Sequence, residues 1–250
     1  MATTLAETDL PLNSGRKRIA PLWHTIVLLL FLIGYAFHGR TTVAHVEGMH
    51  LTSKVPLYLF MILLELSLVS YVWFLGVKPA GGSFSALIGG KWNSAGHVLR
   101  DIGVAFQFWL VVIVVLVGLN FTIGQSPQTA RAVFMLAPGN LSEMIVWVIL
   151  SVTAGVCEEF IFRGYLQKQF LAITGSDAAA VALQAVFFGI AHSYQGVKSM
   201  ATITVYGALF GMLAVYRKSL RPGMIQHAAQ DSFAGLGFAL LKHLGKLPAS

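Results

Sequence analysis

Residues 144–162 read MIVWVILSVTAGVCEEFIF, an apolar stretch that carries two adjacent glutamates, Glu158 and Glu159, near its end. A helix that crosses the hydrocarbon of a bilayer needs about 20 mostly apolar residues, and this stretch meets that length. An ionisable side chain at the centre of a bilayer costs roughly 2.5–3.5 kcal/mol on insertion scales, so such residues face the bundle interior and usually have a task. Working outward, apolar segments at 19–37, 55–77 and 102–123 precede it, and segments at 178–192, 200–216 and 224–241 follow. The segment at 178–192 is short; Ser176 and Asp177 look like a helix start, and residues 193–198 are candidates to dip into the bilayer. The expected fold class is all-α: a polytopic transmembrane helix bundle of about seven membrane-spanning helices.

Composition agrees. Hydrophobic residues make up 56% of the 250, and charged residues only 11%, against about a quarter charged in soluble domains. The basic excess, 17 Lys and Arg against 10 Asp and Glu, lies between the apolar runs and forms no basic face or arm, so nucleic acid is not an expected partner. It reads as a topology signal. With the N-terminus in the cytoplasm, the inner segments hold Arg16, Lys17, Arg18, Lys78, Lys91, Arg100, Arg163, Lys168, Arg217, Lys218 and Arg221. A bacterial cytoplasmic (inner) membrane is the expected location, with the lipid bilayer and a peptide or membrane protein as partners. The single cysteine, Cys157, excludes an intramolecular disulfide.

Three regions are expected: a polar N-terminal tail over 1–18, transmembrane helices and loops over 19–140, and a catalytic helix bundle over 141–245. The first apolar run follows Arg16–Lys17–Arg18 as a signal peptide would, but His38, Gly39 and Arg40 follow it without a small-x-small cleavage site. A retained first helix is therefore expected. Residues 125–142 form a connection containing Pro and Gly, and its apolar patch at 133–136 is expected to rest on the membrane surface.

Polar chemistry is concentrated in the last four segments. Residues four apart share a helix face while neighbours differ by about 100°, so Glu159 pairs with Arg163 and Glu158 points elsewhere. The pair neutralises two charges that are expensive alone, leaving Glu158 to take a proton from water and return it. His227 and Asp231 are also spaced i,i+4, so the carboxylate can fix the imidazole tautomer. His192 joins them from another segment. One carboxylate and two imidazoles around a cavity can activate a water and stabilise an oxyanion, as amide hydrolysis requires. The same atoms of Glu158, His192 and His227 can alternatively hold a zinc ion with an open position for water. With these segment boundaries, Glu158 and His227 fall toward one side of the bilayer and His192 toward the other. Extending the fourth helix to about residue 170 moves Glu158 to mid-depth.

The strings CEEFIFRGYL (157–166), FGIAH (188–192) and HAAQD (227–231) resemble the three motifs of the CPBP intramembrane proteases, which include the CAAX-processing type II proteases and bacterial Abi proteins. The resemblance covers about 144–241. It implies an all-helical fold and peptide-bond hydrolysis in the membrane, in CAAX-type processing, bacteriocin or peptide maturation, or self-immunity. By motif position it makes Glu158 the water-activating base, His192 its helper, and His227 and Asp231 the support for an oxyanion or ligand, with Glu159, Arg163 and Phe188 in supporting places. The third motif often ends in Asn in that family and here ends in Asp231, which donates a hydrogen bond only when protonated. The strings HExxH, GxSG and GxGD, which mark other intramembrane proteases, do not occur.

Two other classes fit the same residues: a proton-coupled transporter, in which they form a relay, and a nonenzymatic immunity or scaffold protein. Glu65, set among Leu63, Leu64 and Leu66, belongs to no motif and reads as an interhelical hydrogen bond in its protonated state, with a role in a substrate path or in proton movement as the alternative. Gln107, Asn120 and Gln184 read as interhelical glue, and Gly207 with Gly211 as a close-packing seam.

Overall fold

A computed structural model describes residues 18–47, 52–124 and 135–245, with the side chains of 40–47 left aside. Most of the expected polar tail and of the 125–142 connection lie outside the described residues. Among the described residues the main helices are α1 (Leu22–Glu47), α2 (Val55–Val77), α3 (Phe84–Ile88), α4 (Ala95–Ile123), α5 (Leu141–Thr174), α6 (Asp177–Ala191), α7 (Val197–Arg217) and α8 (Arg221–His243). Five of them, α1, α2, α4, α5 and α7, are long and apolar enough to cross a membrane, and the protein is a polytopic helical membrane protein. Seven spans were expected. At 15 residues α6 falls short of the usual length, and α8 has the length but is interrupted by polar residues.

The boundaries follow local chemistry. Side chains of Ser94, Asn140 and Ser176 accept hydrogen bonds from the backbone N–H of His97, Glu143 and Ala179, satisfying first-turn donors of α4, α5 and α6. Between α5 and α6 the chain turns at Gly175, whose φ of +71° suits a residue without Cβ. Ser176 thus opens α6, as its sequence suggested.

Within α5, residues Glu159–Leu166 wind as a π-helix, and the Gln167 N–H reaches back five residues to Phe162 O. All eight residues of this wide segment are buried. It re-phases the helix, so that its first part packs on α2 and α8 and its last part on α6.

Polar anchors join the elements where lipid offers no hydrophobic drive for helix association. Buried Asp101 on α4 accepts from Trp92 Nε1 at 2.8 Å and pairs with Arg221 of α8 at 3.2 Å and Arg217 of α7 at 3.4 Å. On α1, buried His24 stacks on Tyr71 and meets the Tyr165 hydroxyl at 2.7 Å, while Gln169 donates to Ala20 O and Thr25 Oγ1. The first helices are thus less apolar toward the interior than their sequence suggested. Gly207 and Gly211 do form a close seam, since a Cβ on the former would lie 3.3 Å from Ala185 Cα and one on the latter 2.6 Å from Gln184 Nε2. Gln184 donates to Gly207 O at 2.9 Å, as glue should. Gln107 and Asn120, in contrast, lie on the exposed surface of α4.

Candidate active site

The site begins with a close approach of two backbones. Gly155 of α5 faces Ala228 of α8 so tightly that a Cβ on it would stand 2.6 Å from Ala228 N. Glu158 lies one turn beyond this contact and His227 is adjacent to it, so the crossing brings the two functional side chains to one level. Farther along, Gly235 makes room for Trp147, whose indole N–H donates to the Asp231 carbonyl at 2.9 Å.

Glu159 and Arg163 form the expected pair: Arg163 Nη1 donates to Glu159 Oε1 at 2.8 Å, with both side chains buried. The guanidinium also donates to Gly207 O at 3.2 Å and lies over the rings of Phe188 and Phe210 at 4.3 and 5.0 Å. Both terminal nitrogens of this buried charge thus have an acceptor and two rings lie against it, while its Nε–H has no hydrogen-bond partner among the described residues.

Two expectations change at His227. The tautomer-fixing partner is Glu159, which accepts from Nδ1 at 3.1 Å; Asp231 Oδ2 stands 3.7 Å from Nε2, outside direct hydrogen-bond range. Glu158 and Glu159 also do not serve separate places. They approach the same imidazole from opposite edges, Glu159 at Nδ1 and Glu158 Oε2 at 3.7 Å from Nε2. An isolated helix predicts only the angle between neighbours, whereas a ring inserted between them from α8 meets both.

His192 caps α6, and its Nδ1 lies 2.9 Å from Phe188 O. A carbonyl can only accept, so Nδ1 carries the hydrogen, and a neutral ring then presents an Nε2 lone pair. That atom faces Glu158 Oε1 at 3.9 Å. Phe188 thus supports the site twice, with its carbonyl orienting His192 and its ring beneath Arg163.

The depth conflict between Glu158 and His192 is resolved by helix length. Because α5 continues to Thr174 and α6 is short, Glu158 sits near the middle of α5 at the level where α6 ends. Ser193 is buried in the turn that follows, in keeping with a chain that dips inward after His192.

Glu158, His192, His227 and Asp231 line one cavity of about 330 Å³. Tyr194, Gln195 and Gln230 line it too and were not anticipated; single polar residues at a helix end carry no spacing signal. Glu65 also enters this cavity, from α2. The zinc alternative asks Glu158, His192 and His227 to surround one ion. Among the described residues no three His, Cys, Asp or Glu side chains are grouped to hold a metal ion. As placed, the three do not fit a zinc site, and the chemistry below is derived from the side chains alone.

Neither the curated proteins nor the solved structures give a match to this chain. A family model described as Type II CAAX prenyl endopeptidase Rce1-like matches residues 139–233, a stretch that opens just before α5 and closes inside α8. All three motif strings fall within it, while Glu65 and the first four helices fall outside. Residues 139–233 are accordingly an Rce1-like domain of the type II CAAX prenyl endopeptidase family, a family of peptide-bond hydrolases.

Proposed function

We propose that the protein is an intramembrane endopeptidase in which Glu158 activates a water to attack a peptide bond. The observation that carries this reading is the placement of Glu158 between two imidazole Nε2 atoms, 3.9 Å from His192 and 3.7 Å from His227. The His192 gap is too long for a direct hydrogen bond, and both atoms accept, so a water between them can donate one proton to each. Glu158 takes a proton from this water as its oxygen bonds to the carbonyl carbon. When the C–N bond breaks, Glu158 returns the proton to the leaving nitrogen.

His227 serves the other charge. Its ring has Glu159 at one nitrogen and Glu158 and Asp231 near the other, an environment that suits an imidazolium with an N–H on each side. The Nε2–H then donates to the developing oxyanion, a part that Asp231 as a carboxylate cannot take. Asp231 instead supplies negative charge beside the ring. In this reading α6 and α8 traverse the membrane as inner members of a seven-span bundle, residues 141–245 work as the catalytic unit, and the Lys and Arg distribution supports a cytoplasmic N-terminus. The family description supports a CAAX-type peptide at the membrane as substrate.

The test is cleavage of a prenylated CAAX peptide by purified protein and by Glu158→Gln. The rate is expected to fall by about 10²–10⁴-fold with the thermal midpoint preserved. Undiminished cleavage by the variant would refute the assignment.

A further inference from the structure

Glu65 stands in the middle of α2, outside the matched residues 139–233, between Leu63 and Leu66 that face outward. Its side chain turns the other way, into the cavity that holds Glu158. There it shares the cavity with the carboxyl group of Glu158. Oε2 of Glu65 and Oε2 of Glu158 are both buried, and neither has a donor among the described residues. Two ionised carboxylates can only accept, so these two groups can satisfy one another only when one of them carries a proton.

The surroundings decide which one. Glu158 has Nε2 of His227, read above as an imidazolium, 3.7 Å away, so its negative charge is matched. Around Glu65 the ionisable groups are Glu158 and Cys157 of α5, His227 of α8 and Tyr35 of α1. Of these, His227 is engaged by Glu159 at Nδ1, and the nearby Arg163 is committed to Glu159 as well. Of the two carboxyl groups, Glu158 is thus the one better placed to carry the charge.

We propose that Glu65 is a positioning residue: as a carboxylic acid it donates a hydrogen bond to Glu158, fixing the rotation of that carboxylate so that its free oxygen faces His192 and the water. This rests on Glu158 as the base. It assigns a part in the reaction to a helix that the family model does not reach.

The experiment uses the full-length protein, with Glu65→Leu, which keeps bulk but has no donor, and Glu65→Gln, whose amide can donate in place of the acid. With a prenylated CAAX peptide, Glu65→Leu is expected to lower kcat roughly tenfold to a hundredfold, the size of one hydrogen bond to a charged group, with KM little changed. Glu65→Gln should rescue most of that loss. Equal impairment of the two variants, or wild-type kcat in Glu65→Leu, overturns the proposal. A second readout needs neither cleavage nor the Leu variant: infrared spectra of wild type should contain a protonated-carboxyl C=O band that disappears in Glu65→Gln. A spectrum without that band in wild type, or with it unchanged in the variant, also overturns it. If wild type fails to cleave the peptide, the protease reading is what suffers, while the infrared result still decides the state of Glu65.

Discussion

The helices α4 and α5 are both long enough to cross a membrane, yet they occupy it in opposite ways. The most apolar stretch of α4 has a mean hydropathy of 2.7 and 11% of it is buried; that of α5 has a mean hydropathy of 1.9 and 44% of it is buried. The more apolar helix is the outer one. In water the ranking would run the other way, because burial there follows apolar area. Lipid tails are as apolar as leucine, so what sorts a helix inward is its need to satisfy polar atoms. The Glu159–Arg163 pair, Gln167 and Gln169 hold α5 inside by hydrogen bonds to α7, α8 and the start of α1.

That contrast is open to direct attack, most severely at Arg163. Replacing it with Met removes the cation paired with buried Glu159, and breaking such a pair costs about 3–5 kcal/mol. Thermal unfolding in detergent should show a large drop in midpoint for Arg163→Met; an unchanged midpoint would mean that α5 is held by packing alone. Gly155→Leu tests the crossing with α8. The new side chain meets Ala228 backbone at the Cβ, overpacking that typically costs about 1–3 kcal/mol. Because it separates Glu158 from His227, peptide cleavage should fall more steeply than stability. Cleavage that survives the substitution would show that the two side chains need no fixed spacing. Gln184→Leu removes the donor to Gly207 O and should cost about 1 kcal/mol, measurable as a modest midpoint shift. At the far end, Phe121→Leu on the lipid face of α4, where Phe121 is 84% exposed, should stay within about 0.5 kcal/mol of wild type. A loss there as large as that of Gln184→Leu would erase the distinction between the two helices.

Much of this architecture could be read before any coordinates. Apolar length located every helix named above except α3, and the Val55–Val77 boundaries coincided at both ends. The Glu159–Arg163 pair followed from i,i+4 spacing, and the meeting of Glu158, His192, His227 and Asp231 from motif order. Other features were illegible for a common reason: their partners are distant in sequence. Asp101 meets arginines more than a hundred residues away, and His24 meets Tyr165 across a similar separation. Glu65 was visible as an anomaly, but nothing local showed that it faces Glu158. The sharing of His227 by two neighbouring glutamates depends on how α8 inserts its ring, which periodicity within α5 does not encode.

The wide winding at Glu159–Leu166 has a consequence for sequence length. Removing a single residue from that stretch would let ordinary α pitch return without breaking the helix, but everything on one side would swing by about 100° relative to the other. Either the glutamates would keep their imidazole, or Gln167 and Gln169 would keep the carbonyls of Gly211 and Ala20, never both together. One-residue deletions in this span should thus be far less tolerated than the same deletions in the uniformly wound α4, even where every deleted side chain is a plain hydrocarbon.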